Sequence, residues 1–447
     1  MYVYRGGHTM NWRVRLAAFL VVGALAASCG VAREAVRSVL TGLPMPAPEP
    51  ITRTSAGAQI AWLWLQEQGG SPYLVAYDPA GRLVARLGQS TAPTTAAEIY
   101  GFWRSPDGAS IFTSGVASLT AYAAVDGHAV RAYQRPPGSL MDNAFSPDGH
   151  YLSWLTYGSG QLRLDVLDLR TGTWVSPAAI PHDSQASMPG YSGSPNSWGM
   201  PVFSPDSVHL YTITDWGGPA RLSAFTLKNG QLQGLGTQLL RDVSCAGPAM
   251  ALKVIDAGGT LAAFCHFDGA VWLIDLKTLS VATVLHPRQS NPFWASPVFT
   301  SDGRLLYLLE PGTAQVLDLD RRTVRGPFAL PKTAGDQSPL TALLSFLVMP
   351  ADAGGIASTV PLSPDGLKLY VANPDGVTVL RIPDLKPLAE VASGSSTNEV
   401  WVSGNGDTLF VTADDGRALV TVRADGSGVH RIDLPGVAGG FVASEHG

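Results

Sequence analysis

Three kinds of side chain in this sequence could do chemistry: histidines, cysteines and carboxylates. The nine histidines are scattered along the chain. His182, His266 and His286 are the ones whose positions could converge, with Asp183 as a further donor, and such a group is the best route the chain offers to a divalent metal. Their spacing matches no metal-ligand signature, so neither a metal nor a cofactor is expected. The chain has no GxSxG nucleophile elbow, no HExxH, no phosphate-binding loop and no Cys-x-x-Cys-His haem attachment. No catalytic residue is assigned. A formal net charge of -5 also argues against a nucleic-acid partner, because phosphate binding needs a basic face.

The cysteines say more. There are three, Cys29, Cys245 and Cys265. Arg5, Arg13 and Arg15 precede the apolar run Leu16 to Ala27, which is too short to cross a bilayer as a helix. Small residues follow, in Leu25-Ala26-Ala27-Ser28-Cys29-Gly30, and Met10 to Ser28 is a complete export signal by itself. This segment resembles the lipobox of bacterial lipoproteins, with Ala26 where leucine is usual. The resemblance implies cleavage before Cys29, acylation of its thiol, and a place in the cell envelope outside the cytoplasm. The only membrane contact expected is the lipid, since more than one acyl chain gives a stable anchor. Residues 1–28 then read as the signal and 29–55 as a tether stiffened by Pro44-Met45-Pro46-Ala47-Pro48-Glu49-Pro50. In an oxidising compartment the remaining pair, Cys245 and Cys265, is expected to form a disulfide closing a loop of about 20 residues, worth roughly 3 kcal/mol. Two buried free thiols are the alternative.

The elements that must position these residues are strands. Charged residues make up 15 % of the chain, against 49 glycines and 33 prolines, a mixture suited to short strands and tight turns. From residue 56 one pattern recurs. Its clear copies are Ser105-Pro106-Asp107-Gly108, Ser146-Pro147-Asp148-Gly149 and Ser363-Pro364-Asp365-Gly366. Looser copies surround Asp206, Asp302 and Asp407, and a degraded one surrounds Gly258. Proline presets φ, Asp bonds the turn backbone and Gly closes the turn, so Asp107, Asp148, Asp206, Asp302, Asp365 and Asp407 read as structural. An apolar strand follows each turn, as in Leu305-Leu306-Tyr307-Leu308, and then a third such as Val271-Trp272-Leu273-Ile274-Asp275.

Four short strands per repeat of 41 to 63 residues is the pattern of a propeller blade. The motif resembles the PD40 repeats of TolB-like propellers, and more loosely the YVTN and WD40 families, over about residues 56 to 445. The fold expected for 56–447 is therefore all-β, a seven- or eight-bladed β-propeller with eight favoured by the repeat count. Gln59 to Leu87 holds the later three strands of a blade, and Gly440-Phe441-Val442-Ala443-Ser444 a lone first strand. Pairing them closes the ring and removes the sheet edge.

The resemblance implies that the serine turns lie on one face and the longer connections on the other. Long ordered connections are frequent sites of function. The second face would gather Tyr157, His182, Tyr191, Trp198, Trp216, His266, Phe267, Phe293 and Trp294, a set of rings suited to binding at low entropy cost. Leu340 to Met349 reads as a short helix in the longest insertion. The function expected is a non-catalytic binding or scaffold module for a protein, peptide or glycan. The alternative is a hydrolase resembling the YVTN-type lactonase propellers, acting at the central channel.

Overall fold

The computed structural model describes residues 55–442 except 68–72, 88–100, 116–117, 159–160, 181–199, 215–219, 229, 241–249, 256–258, 266–268, 289–295, 301, 311–312, 331–361, 374 and 393–396. Antiparallel strands group into eight blades around a ring. Blade 3 shows the plan: Ser139–Phe145, Tyr151–Gly158, Gln161–Asp168 and Thr173–Ile180 follow one another outward from the axis. The other inner strands are Gly101–Arg104, Met200–Phe203, Met250–Val254, Ser296–Phe299 and Thr397–Val402, in blades 2, 4, 5, 6 and 8. In blade 7 three strands run from Lys368 to Val391, and the inner position is marked by the single bridge of Leu362 to Leu369. One parallel bridge, Ser176 to Gln231, joins the outer strands of blades 3 and 4. The ring thus has eight blades, the larger of the two numbers expected, and blade 5 is complete although its turn around Gly258 is the least recognisable in sequence.

Closure follows the expected route. The C-terminal strand Val437–Phe441 takes the inner place of blade 1, pairing Leu63 with Phe441 and Trp64 with Gly440. It begins three residues before Gly440, the expected start. Gly439 lies under the Trp64 ring, where a Cβ would stand 1.8 Å from a ring carbon, so only glycine fits.

Second and third strands are apolar on both faces because each is sandwiched between neighbouring blades. Leu305–Glu310 is buried throughout, whereas the outer strand Lys386–Val391 is exposed except for Val391. The core is accordingly a ring of clusters, each straddling two blades. Trp103, Phe112, Leu119 and Tyr133 of blade 2 meet Phe145, Leu152 and Trp154 of blade 3, for example. Trp154 stands edge-on to both Trp103 and Trp174, at 5.5 and 6.3 Å between centroids. Burying each such ring contributes a few kcal/mol, and truncating one leaves a cavity costing about 3–5 kcal/mol.

The serine turns share one hydrogen-bonded frame. Ser146 Oγ donates to Asp148 Oδ1 at 2.6 Å and accepts the Tyr151 N–H at 2.9 Å, while Asp148 Oδ1 accepts the His150 N–H at 2.9 Å. Blade 2 repeats this with Ser105 and Asp107, blade 7 with Ser363 and Asp365, and blade 6 with Thr300 and Asp302. In blade 4 the glycine place is taken by Ser207 at φ +60°, a costly conformation for a side chain. Its hydroxyl accepts the Asp148 N–H of blade 3 at 3.1 Å, which offsets part of that cost. In blade 8 the frame is Ser403-Gly404-Asn405-Gly406. Asn405 Oδ1 accepts from Ser403 Oγ at 2.7 Å and from the Asp407 N–H at 3.2 Å, filling the aspartate place, and Asp407 instead accepts from the Asn405 amide at 2.8 Å.

Candidate functional site

Strand alternation assigns the two ends of the ring. The serine turns and the third-to-fourth-strand turns share one end. Backbone bonds tie them together in each of blades 2 to 8, as from the Leu169 N–H to the His150 carbonyl at 2.8 Å. The second-to-third-strand turns and the inter-blade connections leave from the other end. Of the nine residues expected on that second face, Tyr157 is described. It is half-buried near the end of the second strand of blade 3, paired with Ser139 and Leu162. His182, Tyr191, Trp198, Trp216, His266, Phe267, Phe293 and Trp294 lie outside the described residues, as do Asp183, Leu340 to Met349, Cys29 and Cys245. His286 is described and lies just beyond the outer strand Ser280–Leu285 of blade 5. Cys265 ends the second strand of blade 5, fully buried in the cluster between blades 4 and 5.

The inner strands carry ionisable groups that periodicity did not single out. Asp142, Lys253 and Glu399 stand on the inner strands of blades 3, 5 and 8. Each is half-buried; Lys253 lies against Gly303 of the blade 6 turn, and Glu399 against Gly440 and Phe441 of blade 1. Burial is the largest influence on all three. It pushes the Asp142 and Glu399 carboxyls up to about 7, against the pull of the Asn143 and Phe441 N–H groups. It draws the Lys253 ammonium down to about 8, against the attraction of Asp302. Asp142 and Glu399 occupy the same place in their blades. Each lies four residues before its turn serine, directly after a β-bulge, opposite Leu155 and Thr412 respectively. A bulge re-aims the next side chain, so both placements are built into the backbone. The readable signal was a lone charge in an otherwise uncharged inner strand, as in Ser139-Leu140-Met141-Asp142-Asn143-Ala144-Phe145.

Among the described residues no group of three or more His, Cys, Asp or Glu is placed to hold a metal ion. At the serine-turn end, an open polar cleft between blades 7 and 8 is lined by Asp365, Lys368, Tyr370, Asp407, Arg423 and Asp425. Asp365 is already committed to its turn.

No protein-family model and no curated protein sequence matches the chain. Solved structures do match. The structure titled dihydro-heme d1 dehydrogenase NirN in complex with DHE aligns with a TM-score of 0.56 at 17 % identity, covering 90 % of this chain and 80 % of that one. The C-terminal WD40 domain of Sif2 aligns with a TM-score of 0.50 at 13 % identity, covering 83 % and 95 %. Hydrazine synthase of Kuenenia stuttgartiensis aligns with a TM-score of 0.46 at 15 % identity, covering 76 % and 99 %. At these identities the likeness is one of fold. The class it defines with the blade topology is the eight-bladed β-propeller.

Proposed function

We propose that this propeller is a non-catalytic binding or scaffold module, carried in the cell envelope by a lipid on Cys29, whose connection-bearing face holds a protein, peptide or glycan. The observation that carries the reading is the asymmetry of the ring. One end is built of short turns tied by the same backbone hydrogen bond in each of blades 2 to 8. The strand ends at the other, such as Ile180 and Met200, are joined by connections of unequal length and aromatic composition. Variable connections on a rigid ring are where binding residues concentrate. The Sif2 domain supports the architecture of such a module and goes no further.

The hydrolase reading draws on Asp142 and Glu399, whose near-neutral carboxyls are of the kind used for proton transfer. Glu399 already accepts a backbone hydrogen bond from Phe441, which favours a structural role for that group.

The test is capture from crosslinked cells with the native chain and with a Trp198→Ala, Trp216→Ala, Trp294→Ala variant. A defined partner enriched by the native chain and lost by the variant is the expected result. Capture indifferent to the triple change would overturn the assignment of that face. An intact-mass measurement on the mature protein checks the anchor, with acylated Cys29 at the N-terminus expected.

A further inference from the structure

The cleft between blades 7 and 8 holds about 610 Å³ and is walled by polar groups that the fold leaves unused. The two serine turns touch beside it: Pro364 packs on Gly406, where a Cβ would stand 3.1 Å from the proline ring. Lys368 and Tyr370, two apart on one strand, share the face of blade 7 that is turned to blade 8. Neither the Lys368 ammonium, the Arg423 guanidinium nor the Tyr370 hydroxyl makes an ion pair or hydrogen bond among the described residues. The tyrosine is the informative one. It is 1 % exposed, and the little it shows lines the cleft. Tyr307 stands at the same place in blade 6, five residues past its turn aspartate, but its hydroxyl is sealed from solvent. A buried hydroxyl without a partner is costly, and an atom seated in the cleft supplies one.

Three carboxylates line the same space, and each gives one oxygen to the fold. Asp365 Oδ1 accepts from the Ser363 hydroxyl and from the Leu367 N–H at 3.0 Å. Asp407 Oδ2 accepts from the Asn405 amide at 2.8 Å, and Asp425 Oδ1 from the Ser427 hydroxyl at 2.6 Å and N–H at 2.9 Å. The second oxygen of each has no hydrogen-bond partner among the described residues. The turns thus hold the carboxylates in place and leave an acceptor of each unused.

Matched donors and acceptors decide the class of ligand. A metal ion would need the carboxylates to converge, and no such group exists among the described residues. An anion would suit Lys368 and Arg423 but would meet three carboxylates. A hydroxyl donates and accepts at once, so adjacent hydroxyls of a sugar ring satisfy a cation and a carboxylate together. The volume falls within the roughly 300–1,000 Å³ of small-ligand sites.

We propose that this cleft binds a neutral saccharide of one or two rings, with Lys368, Arg423 and Tyr370 donating to its hydroxyls and Asp365, Asp407 and Asp425 accepting from them. The site lies at the serine-turn end, away from the connection-bearing face, and does not depend on the reading placed there.

Calorimetric titration of the full chain with maltose, cellobiose, trehalose and inorganic phosphate tests this. Saturable binding of at least one disaccharide, and none of phosphate, is expected. Tyr370→Phe removes a hydroxyl that bonds nothing in the fold, so its urea midpoint should match the native one while affinity falls about threefold or more. Arg423→Leu should lose about tenfold or more. Arg423 is exposed, so that variant decides alone should Tyr370→Phe not fold. The Trp198→Ala, Trp216→Ala, Trp294→Ala variant is expected to bind sugar as the native chain does, which separates this site from the other face. No binding of any of the three sugars, binding of phosphate alone, native-like affinity in Arg423→Leu, or loss of sugar binding in the tryptophan variant would each overturn the proposal.

Discussion

The guanidinium carbon of Arg104 lies 4.7 Å from the centroid of the Trp401 ring, although the two residues belong to blades 2 and 8 and blade 1 stands between them. Arg104 also donates to the Ile60 carbonyl at 3.0 Å and to the Gly57 carbonyl. Those carbonyls belong to the short turn by which the chain enters blade 1, and Ala58 of that turn accepts the Gly404 N–H at 2.8 Å. A single buried cation thus ties the entry of the ring to the blades on both sides of its closure. Both partners are 3 % exposed, so these interactions act at low dielectric.

Arg104→Met keeps much of the volume and removes the charge. Charge-assisted hydrogen bonds are worth roughly 1.5–3 kcal/mol each and a desolvated cation–π contact about 2 kcal/mol. We expect a loss of about 3 kcal/mol or more, read as a lower urea midpoint. Arg104→Lys is expected to lose most of that as well, since a point charge cannot serve two carbonyls and a ring face at once. An Arg104→Met midpoint within error of the native one would show that the closure does not depend on this residue.

The turns predict a graded series. Removing the hydroxyl in Ser146→Ala deletes its bonds to Asp148 and to the Tyr151 N–H inside a buried corner, so a cost of about 1–3 kcal/mol is expected. Ser146→Thr should be close to neutral, because Thr300 already makes the same bonds in blade 6. In blade 8, Asn405→Ala should cost more than Asp407→Ala, because Asn405 stands where the other blades have aspartate. Urea midpoints of the four variants check the order, and the reverse order in blade 8 would contradict the frame.

That last case shows where sequence reading succeeds and where it stops. The Ser-Pro-Asp-Gly corners were legible because every bond they make is local, so residue types and spacing carry the geometry. The shared closing blade was legible for a similar reason, as three strands at one end of the chain and a single one at the other leave one economical pairing. Asp407, expected in the turn-aspartate place, stands two residues beyond it, because Gly-Asn-Gly-Asp offers two acidic or amide candidates and only the bond from Ser403 to Asn405 distinguishes them. Asp142, Lys253 and Glu399 are not singled out by periodicity because their surroundings come from neighbouring blades, far away in sequence. Arg104 is harder still: its partners lie 44 and 47 residues away in sequence, and Trp401 almost 300. The aromatic residues of the connections sit outside the repeat, so no comparison between blades could assign them a direction.

The cysteines give an independent check on the compartment. Cys265 is fully buried at the end of its strand. If the chain matures outside the cytoplasm, Cys245 and Cys265 pair, and alkylation of unreduced, denatured protein should modify neither. Peptide mapping without reductant should show the two joined. Cys265→Ser should then destabilise the fold by about 3 kcal/mol through the lost loop constraint, in addition to placing a hydroxyl in an apolar cluster. Quantitative labelling of both thiols in denatured protein would refute the pairing and weaken the case for export.

The buried ionisable groups of the inner strands predict an unusual dependence of stability on pH. Burial holds the Asp142 carboxyl up at about 7 in the folded chain, against 3.8 for an unperturbed group. Between these values the folded state binds more protons than the unfolded one, so this contribution is fully present below about pH 4 and is lost as pH rises through about 7. Glu399 acts in the same direction from 4.5 upward. Lys253 has the opposite sense: its folded value of about 8 lies below the unperturbed 10.5, so the folded state binds fewer protons and stability rises with pH across that interval. Together the three place a minimum of their summed contribution between about pH 7 and 8, where many proteins are most stable. Asp142→Asn should remove part of the decline on the acid side, and Lys253→Met should raise stability at pH 7 while flattening the alkaline side. Urea midpoints measured from pH 4 to 10 on the native chain and the two variants separate the contributions. A native profile that peaks at pH 7 to 8, with Lys253→Met less stable than the native chain at pH 7, would mean that Lys253 is held by a charged partner and is not a buried cost.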